Sequence, residues 1–434
     1  MEQRISMLRT LLLALACLTP ASPAHAQSDP VPASRAEYAE AVRAYQARDY
    51  EAFLQHARRA EELRPDHGGV VYGLATAYSL TGDDQRAIET LRRFAALGYF
   101  ADVAADSDLA RLRGSAGYDD ALRALEANRL PVVKSTVAFT LPERDLLTEG
   151  IAYDAASRAF FVGSVHRRKI VRVDRSGRSG DFVPSGRDSL WAPMGMQVDA
   201  ARQALWVAVS AVPQMLGFDS SDAGRSGLFR YDLSTGALTG RVLISPDSAP
   251  HLLGDLTLAH NGDAYASDSR APVVWRLRVG ADTLERLAES PLLLSAQGLA
   301  LSEDERTLFL ADYSRGLLRI DLSSRHVSLL PCREGIVALG IDGLYRVGKT
   351  LVGIQNGMEP HRVVRLTLDA RGDSVIGLEV LERLHPAHAE PTLGVVVGRD
   401  LYYVANSQWE LFGETGEVAR PDELALPAIL RLRL

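Results

Sequence analysis

The sequence predicts a multidomain chain, an all-α helical repeat followed by an all-β six-bladed propeller. Two observations carry this. The first is a unit, TEGIAYD at Thr148–Asp154 followed by the apolar run AFFVGSV at Ala159–Val165. Its pattern returns as MGMQVD at Met194, DLTLAH at Asp255 (Leu256 replacing the Gly), QGLALS at Gln297, DGLYRV at Asp342 and LGVVVG at Leu393. The first residues of these copies, counting from Glu149, lie 45, 61, 42, 45 and 51 positions apart, a period that suits one four-stranded sheet per repeat, closed radially. The second is a helical apolar period from Glu37 to Asn128 that stops before Pro131.

The first element in order is the N-terminus. Arg4 and Arg9 precede the apolar stretch Leu11–Leu18, and Ala24-His25-Ala26 supplies the small residues of a cleavage site. Residues 1–26 therefore read as an export signal, with the periplasm or the cell exterior as destination. Ala14-Leu15-Ala16-Cys17 partly matches a lipobox but has Ala where Leu is usual, so a lipid anchor on Cys17 ranks behind cleavage after Ala26. With Cys17 removed, Cys332 leaves no intramolecular disulfide to form. A net charge of −7 over 434 residues gives no basic footprint for nucleic acid, and no later apolar run is long enough to span a bilayer.

The helical domain, residues 34–130, has two halves that align at a shift of 34 residues. Val71, Leu74, Ala75, Tyr78, Gly82, Ala87 and Leu91 stand in the second half, with Arg48, Phe53, Ala57, Ala60 and Pro65 in the first. This spacing resembles the tetratricopeptide repeat, whose small residues let antiparallel helices approach closely. It implies either a protein-binding surface or a spacer for the propeller.

The propeller spans residues 134–434. Each repeat has a polar reversal after its first strand, such as DAASR at Asp154 or SEDER at Ser302. The strand-like STVAFTL, residues 135–141, has no blade of its own, and the last repeat supplies only three strands, so residues 135–141 are expected to close blade six. The long loops 211–226 and 406–427 are expected to act as lids over the channel mouth. The second loop contains Trp409.

The first residues of the repeats, Glu149, Met194, Asp255, Gln297, Asp342 and Leu393, are expected to ring the channel. Two like charges about 4 Å apart repel by roughly 4 kcal/mol at an effective dielectric near 20, so three inward carboxylates must be neutralised. A divalent cation held on carboxylate and amide oxygens, calcium in particular, is one answer. A carboxyl kept protonated, or a neighbouring Arg315 or Lys169, are the others.

EGIAYD at Glu149, QGLALSEDERTLFLADY at Gln297 and DGLYRVGKTLVGIQNG at Asp342 resemble the regucalcin and gluconolactonase group, of the senescence-marker-protein type, with its paraoxonase-like relatives. The resemblance implies one divalent metal held by Glu, Asn, Asn and Asp from blades one, three, four and five. Glu149 and Asp342 match; Asp255 and Gln297 stand where the two Asn belong, one adding a charge and the other a methylene. It further implies hydrolysis of a lactone or ester, with Asp342, or His166 as in the paraoxonase-like relatives, as base. His251, His361, His385 and His388 fall in segments of the same face. Gln355, Asn356 and His361 are expected to lie together at the rim, either to bind substrate oxygens or to cap a turn. Gly343–Thr350, GLYRVGKT, satisfies a phosphate-loop pattern, but a strand rather than a helix should follow it. Two functions stand open: a metal-dependent hydrolase acting on a small molecule, and a non-catalytic exported module that binds a protein or small ligand.

Overall fold

A computed structural model describes residues 29–247 and 249–434. The expected export signal and Cys17 lie outside the described residues. The chain divides into two compact units between Asn128 and Arg129.

Among its described residues the first unit has five α-helices, α1 (Pro30–Gln46), α2 (Tyr50–Leu63), α3 (Gly68–Thr81), α4 (Asp84–Ala96) and α5 (Tyr118–Asn128), each packed on the next. Helix α1 starts four residues before the expected Ser34. Asp29 caps it by accepting from Val31 N, and Pro30 stands where its missing N–H costs nothing. Ala41, Ala57, Ala60, Ala75 and Ala87 are fully buried, which lets neighbouring backbones come close around Phe53, Leu91 and Phe94. Among the described residues no helix is long and apolar enough to cross a membrane.

The second unit is a six-bladed propeller of four-stranded antiparallel sheets. Blade one is β2 (Thr148–Asp154), β3 (Ala159–Ser164), β4 (Lys169–Val173) and β5 (Ser179–Val183); blade two is β6 (Ala192–Asp199), β7 (Ala204–Ser210), β8 (Ser226–Asp232) and β9 (Leu238–Leu243). Blade three is β10 (Leu253–Leu258), β11 (Ala264–Asp268), β12 (Val273–Leu277) and β13 (Glu285–Glu289); blade four is β14 (Ala296–Leu301), β15 (Thr307–Asp312), β16 (Gly316–Asp321) and β17 (Val327–Leu329). Blade five is β18 (Ile341–Val347), β19 (Thr350–Gln355), β20 (Arg362–Leu368) and β21 (Val375–Arg383). Blade six joins β22 (Gly394–Val397), β23 (Asp400–Val404) and β24 (Ala428–Arg433) to β1 (Thr136–Thr140), which pairs with β24 from Thr136↔Arg431 to Thr140↔Ala428. The phosphate-loop look-alike is the β18–β19 hairpin, with Val347 opposite Thr350.

The first strands of the blades pack in sequence around the axis, β2 on β6, β6 on β10 and on to β22. Each of the first five begins with a bulge, between Thr148 and Ile151, Pro193 and Met196, Leu253 and Leu256, Ala296 and Leu299, and Ile341 and Leu344. A bulge turns one residue into the channel and packs the next against the neighbouring blade. That second residue is why the repeats carry Gly. A Cβ on Gly150 would lie 2.1 Å from the Met194 carbonyl oxygen, and one on Gly298 would lie 2.4 Å from that of Asp342.

This pairing moves two members of the expected ring by one residue. In blade three the bulge holds Gly254 and Asp255, so Gly254 aligns with Glu149, and Asp255 takes the place of Gly150. In blade six Val397 pairs with Asp400 across a two-residue turn, as Val347 does with Thr350. Counting back, Thr392 aligns with Asp342, and Leu393 aligns with Gly343. Thr392 then closes the ring, its hydroxyl donating to the Glu149 carbonyl oxygen at 3.1 Å.

Candidate active site

Four carboxyls near the axis act on one another electrostatically: Glu149 on β2 and Asp342 on β18 at channel-facing positions, Asp255 on β10 at the position that packs between blades, and Glu390 in the segment before β22. Asp255 is buried; the other three keep part of their surface open to the channel. Burial pushes Glu149 well above the usual carboxylate range, and Asp342, Glu390 and Asp255 push it further, while a bond from Trp409 opposes them. Burial carries Asp255 up to about 7 against bonds from Leu256 and Leu299 N–H, with Asp342 adding to the rise. Asp342 rises to about 6 by burial, restrained by Asn356, and Glu390 rises to about 7 by burial and Asp342. The groups that shift Asp255 and Asp342 include no cationic side chain.

The donors around these carboxyls are few. Asn356 Nδ2 donates to Asp342 Oδ2 and to the Pro391 carbonyl oxygen, both at 2.9 Å. Trp409 Nε1 donates to Glu149 Oε2 at 2.8 Å, and Trp409 N donates to Glu390 Oε2 at 3.0 Å. Asn356 Oδ1 is buried and accepts nothing. Tyr313 is pushed above its usual value by burial, with Asp342 and Glu390 adding to the rise.

The other sequence candidates fall in different places. Gln297 donates to Ser295 Oγ at 3.2 Å and its Oε1 is 3.4 Å from Ser269 Oγ. Gln355 is fully buried, donates to the Val337 and Leu339 carbonyls and accepts from Arg362 Nε, so its amide is engaged in holding a loop. His361 is half-exposed beside Glu359 at 3.4 Å. His388 bonds Tyr403 OH at 2.8 Å, with the His385 ring tilted against it. Lys169 is held by Glu143 at 2.6 Å and Asp181 at 2.9 Å, and Arg315 Nε donates to the Leu292 carbonyl oxygen.

His166 is a clamp for the roof. It is buried, its Nδ1 lies 2.8 Å from the Gln214 carbonyl oxygen, and its ring meets that of Phe412 at a tilt, centroids 4.9 Å apart. Burial lowers its pKa, and the charges acting on it are Asp145 and Arg167 rather than the central carboxyls. It thereby ties together the two long loops, 211–225 and 405–427, whose Met215, Leu411 and Phe412 share one core.

The donor set suits a hard divalent cation in kind, since it consists of carboxylate oxygens and one unsatisfied amide oxygen. Among the described residues no three His, Cys, Asp or Glu side chains converge as a ready-made ligand group. A cation here would therefore draw on Glu149 and Asp342 together with Asn356 Oδ1.

No family model matches the chain, helical unit or propeller, and no curated protein matches it. Similar solved structures include XC5397, a gluconolactonase from Xanthomonas campestris, at 15% identity over 70% of this chain and 94% of that one, TM-score 0.47. Others are a PQQ-bound aldose sugar dehydrogenase from Streptomyces coelicolor (15%, 70% and 99%, 0.46) and virginiamycin B lyase from Staphylococcus aureus (13%, 68% and 83%, 0.45). A lactonase, a dehydrogenase and a lyase at this distance decide no activity here.

Proposed function

We propose that the chain is an exported propeller that holds a divalent cation, calcium by donor chemistry, at its axial carboxyls and hydrolyses a lactone or related ester there. The observation that carries this reading is a set of four enclosed carboxyls shifted, among the described residues, by burial and by one another and by no cationic side chain, together with the buried Asn356 Oδ1, which accepts no bond. Glu149, Asp342 and Asn356 would hold the ion, which when bound supplies Lewis-acid polarisation of a carbonyl.

The chain's own residues provide the proton chemistry. Asp342, near 6, is mostly ionised at neutral pH and still basic enough to take a proton from water. Asn356 occupies one of its oxygens and leaves the other to act as base. The hydroxide so formed bonds the carbonyl carbon, the carbon–oxygen bond to the leaving group breaks, and Glu390, near 7, returns a proton to the leaving oxygen. Proton transfer from Asp342 to Glu390 then restores the starting state.

A screen of lactones and aryl esters with and without calcium tests this reading. Cation-dependent turnover that Asp342→Asn abolishes is expected. Cation binding with no turnover of any lactone or ester contradicts the hydrolase and leaves a cation-holding binding module, whose helical unit would then be the place to seek a protein partner.

A further inference from the structure

Building on the cation reading above, we infer that Trp409 is the positioning residue of the acidic centre. Its indole N–H fixes the Glu149 carboxyl and its backbone N–H fixes Glu390, so one residue of the roof sets both groups. Bonds from an N–H to a carboxylate are short, directional and stronger than neutral ones, and a group that orients a metal ligand is worth 10–100-fold in affinity in typical sites.

The loop that carries Trp409 is built to hold it still. At its neck Asn406 donates to the Leu426 carbonyl oxygen at 3.0 Å and accepts from Ala428 N at 2.7 Å. Gln408 repeats the arrangement one step further in, donating to the Ala425 carbonyl oxygen at 3.3 Å and accepting from Ala425 N at 2.7 Å. Two amide side chains thus do the work of a β-ladder at the neck of the loop, whose one β-bridge among the described residues, Phe412 to Val418, lies further out. Gln408 itself adopts φ 67°, in the left-handed region, and this turns the chain so that Trp409 faces the axis. Ser407 bonds the Glu390 carbonyl oxygen through both its N–H and its hydroxyl, each at 3.1 Å, joining the Glu390 segment to the same neck. Beyond Trp409 the roof is held by Phe412 on His166.

The other three tryptophans lie elsewhere. Trp191 Nε1 donates to Asp222, Trp275 Nε1 donates to Asp268, and Trp206 Nε1 is buried without a bond in blade two. A cation that takes Glu149 alters the charge beside the Trp409 indole alone, so cation binding has a specific optical signature.

The test uses the full chain stripped with chelator, titrated with calcium, manganese and zinc, and follows both Tm and tryptophan emission in wild type, Trp409→Phe and Trp191→Phe. Wild type should show a rise in Tm together with a change in emission. Trp409→Phe, which keeps a ring but loses the N–H, should bind the ion roughly tenfold more weakly or worse and lose the emission change, whereas Trp191→Phe keeps both. A wild-type Tm rise with no change in emission overturns the inference even where Trp409→Phe does not fold, and so does a Trp409→Phe protein that binds as wild type does. No response of wild type to any of the three ions overturns the cation reading itself and this inference with it.

Discussion

Two sets of enclosed carboxyls in this propeller have opposite characters. At the corner of blade three, Asp268 is fully buried, yet five donors reach it: His251 Nδ1 at 2.6 Å, the N–H groups of Leu252, Arg270 and Ala271, and Trp275 Nε1. Burial alone pushes its pKa up, but these bonds outweigh it and the group is held below its usual value. His251 is correspondingly raised by Asp268, and by Asp247 on its other nitrogen. At the axis, Asp342 has one side-chain donor and Asp255 two backbone ones, and both are pushed up. Asp268 is the least exposed of the three and yet the one held down, so the number of donors decides. A carboxyl whose lone pairs are filled by the fold is architecture, and one left short of partners has capacity for a ligand or a proton.

The sharpest way to break this comparison is to remove a partner at the corner. Asp268→Ala leaves His251 with Asp247 alone and strands the N–H groups that Asp268 accepts from, and should destabilise the protein by about 3–5 kcal/mol, the usual cost of breaking a buried pair. Thermal unfolding should show a large fall in Tm, while the cation response of the remaining fold is retained.

The opposite change is expected at the axis. Asp342→Asn removes a carboxyl that the cation-free fold holds at a cost, so at pH 8 in chelator its Tm should rise by a few degrees over wild type. The same variant should lose any rise that calcium produces. A fall in Tm in chelator would contradict the contrast.

The pH dependence sharpens it further. Asp255 and Glu390, both near 7, and Asp342, near 6, have folded pKa values above their unfolded ones. Their contribution to stability is complete below about pH 4 and is lost as pH rises through about 6 to 7. Cation-free wild type should therefore lose Tm between pH 5 and pH 8, and Asp255→Asn should flatten part of that slope. Asp268 and the other carboxyls held below their usual values are already ionised throughout this window.

The smallest effect is expected at His166. His166→Phe forfeits one hydrogen bond to Gln214, worth about 1 kcal/mol, and keeps the ring contact with Phe412. Turnover should keep its pH profile, since His166 serves the roof rather than the proton chemistry; a lost basic limb would contradict this.

The sequence made the propeller legible because its repeat encodes a physical requirement. A channel-facing residue is followed by one without a side chain, so that the next blade can close in, and Glu149-Gly150, Gln297-Gly298 and Asp342-Gly343 all show it. The same signal misplaces the register where Gly has moved. In blade three Gly254 precedes Asp255 instead of following it, and in blade six Gly394 lies two residues beyond Thr392. The tight turns are the better anchor, since Val347-Gly348-Lys349-Thr350 and Val397-Gly398-Arg399-Asp400 superpose the two hairpins residue by residue.

Glu390 and the bond from Trp409 to Glu149 were not legible. Both lie in long connections outside the repeat, and their approach to the axis depends on the neck built by Asn406 and Gln408, a contact between residues about 17 to 22 positions apart. The histidines teach the converse. Loop position and the paraoxonase-like resemblance suggested a base at His166, whereas its burial and its carbonyl partner make it a clamp.

The central claim is that protons and a divalent cation share the axial carboxyls. Calorimetric titration of calcium into the chelator-stripped protein at pH 6.5, in two buffers of different ionisation enthalpy, tests it most directly. The account predicts a single site whose filling releases protons, because Asp255 and Glu390, both near 7, still hold them in part at that pH, and no such site in Asp342→Asn. Binding without proton release, or binding that Asp342→Asn leaves intact, would contradict it.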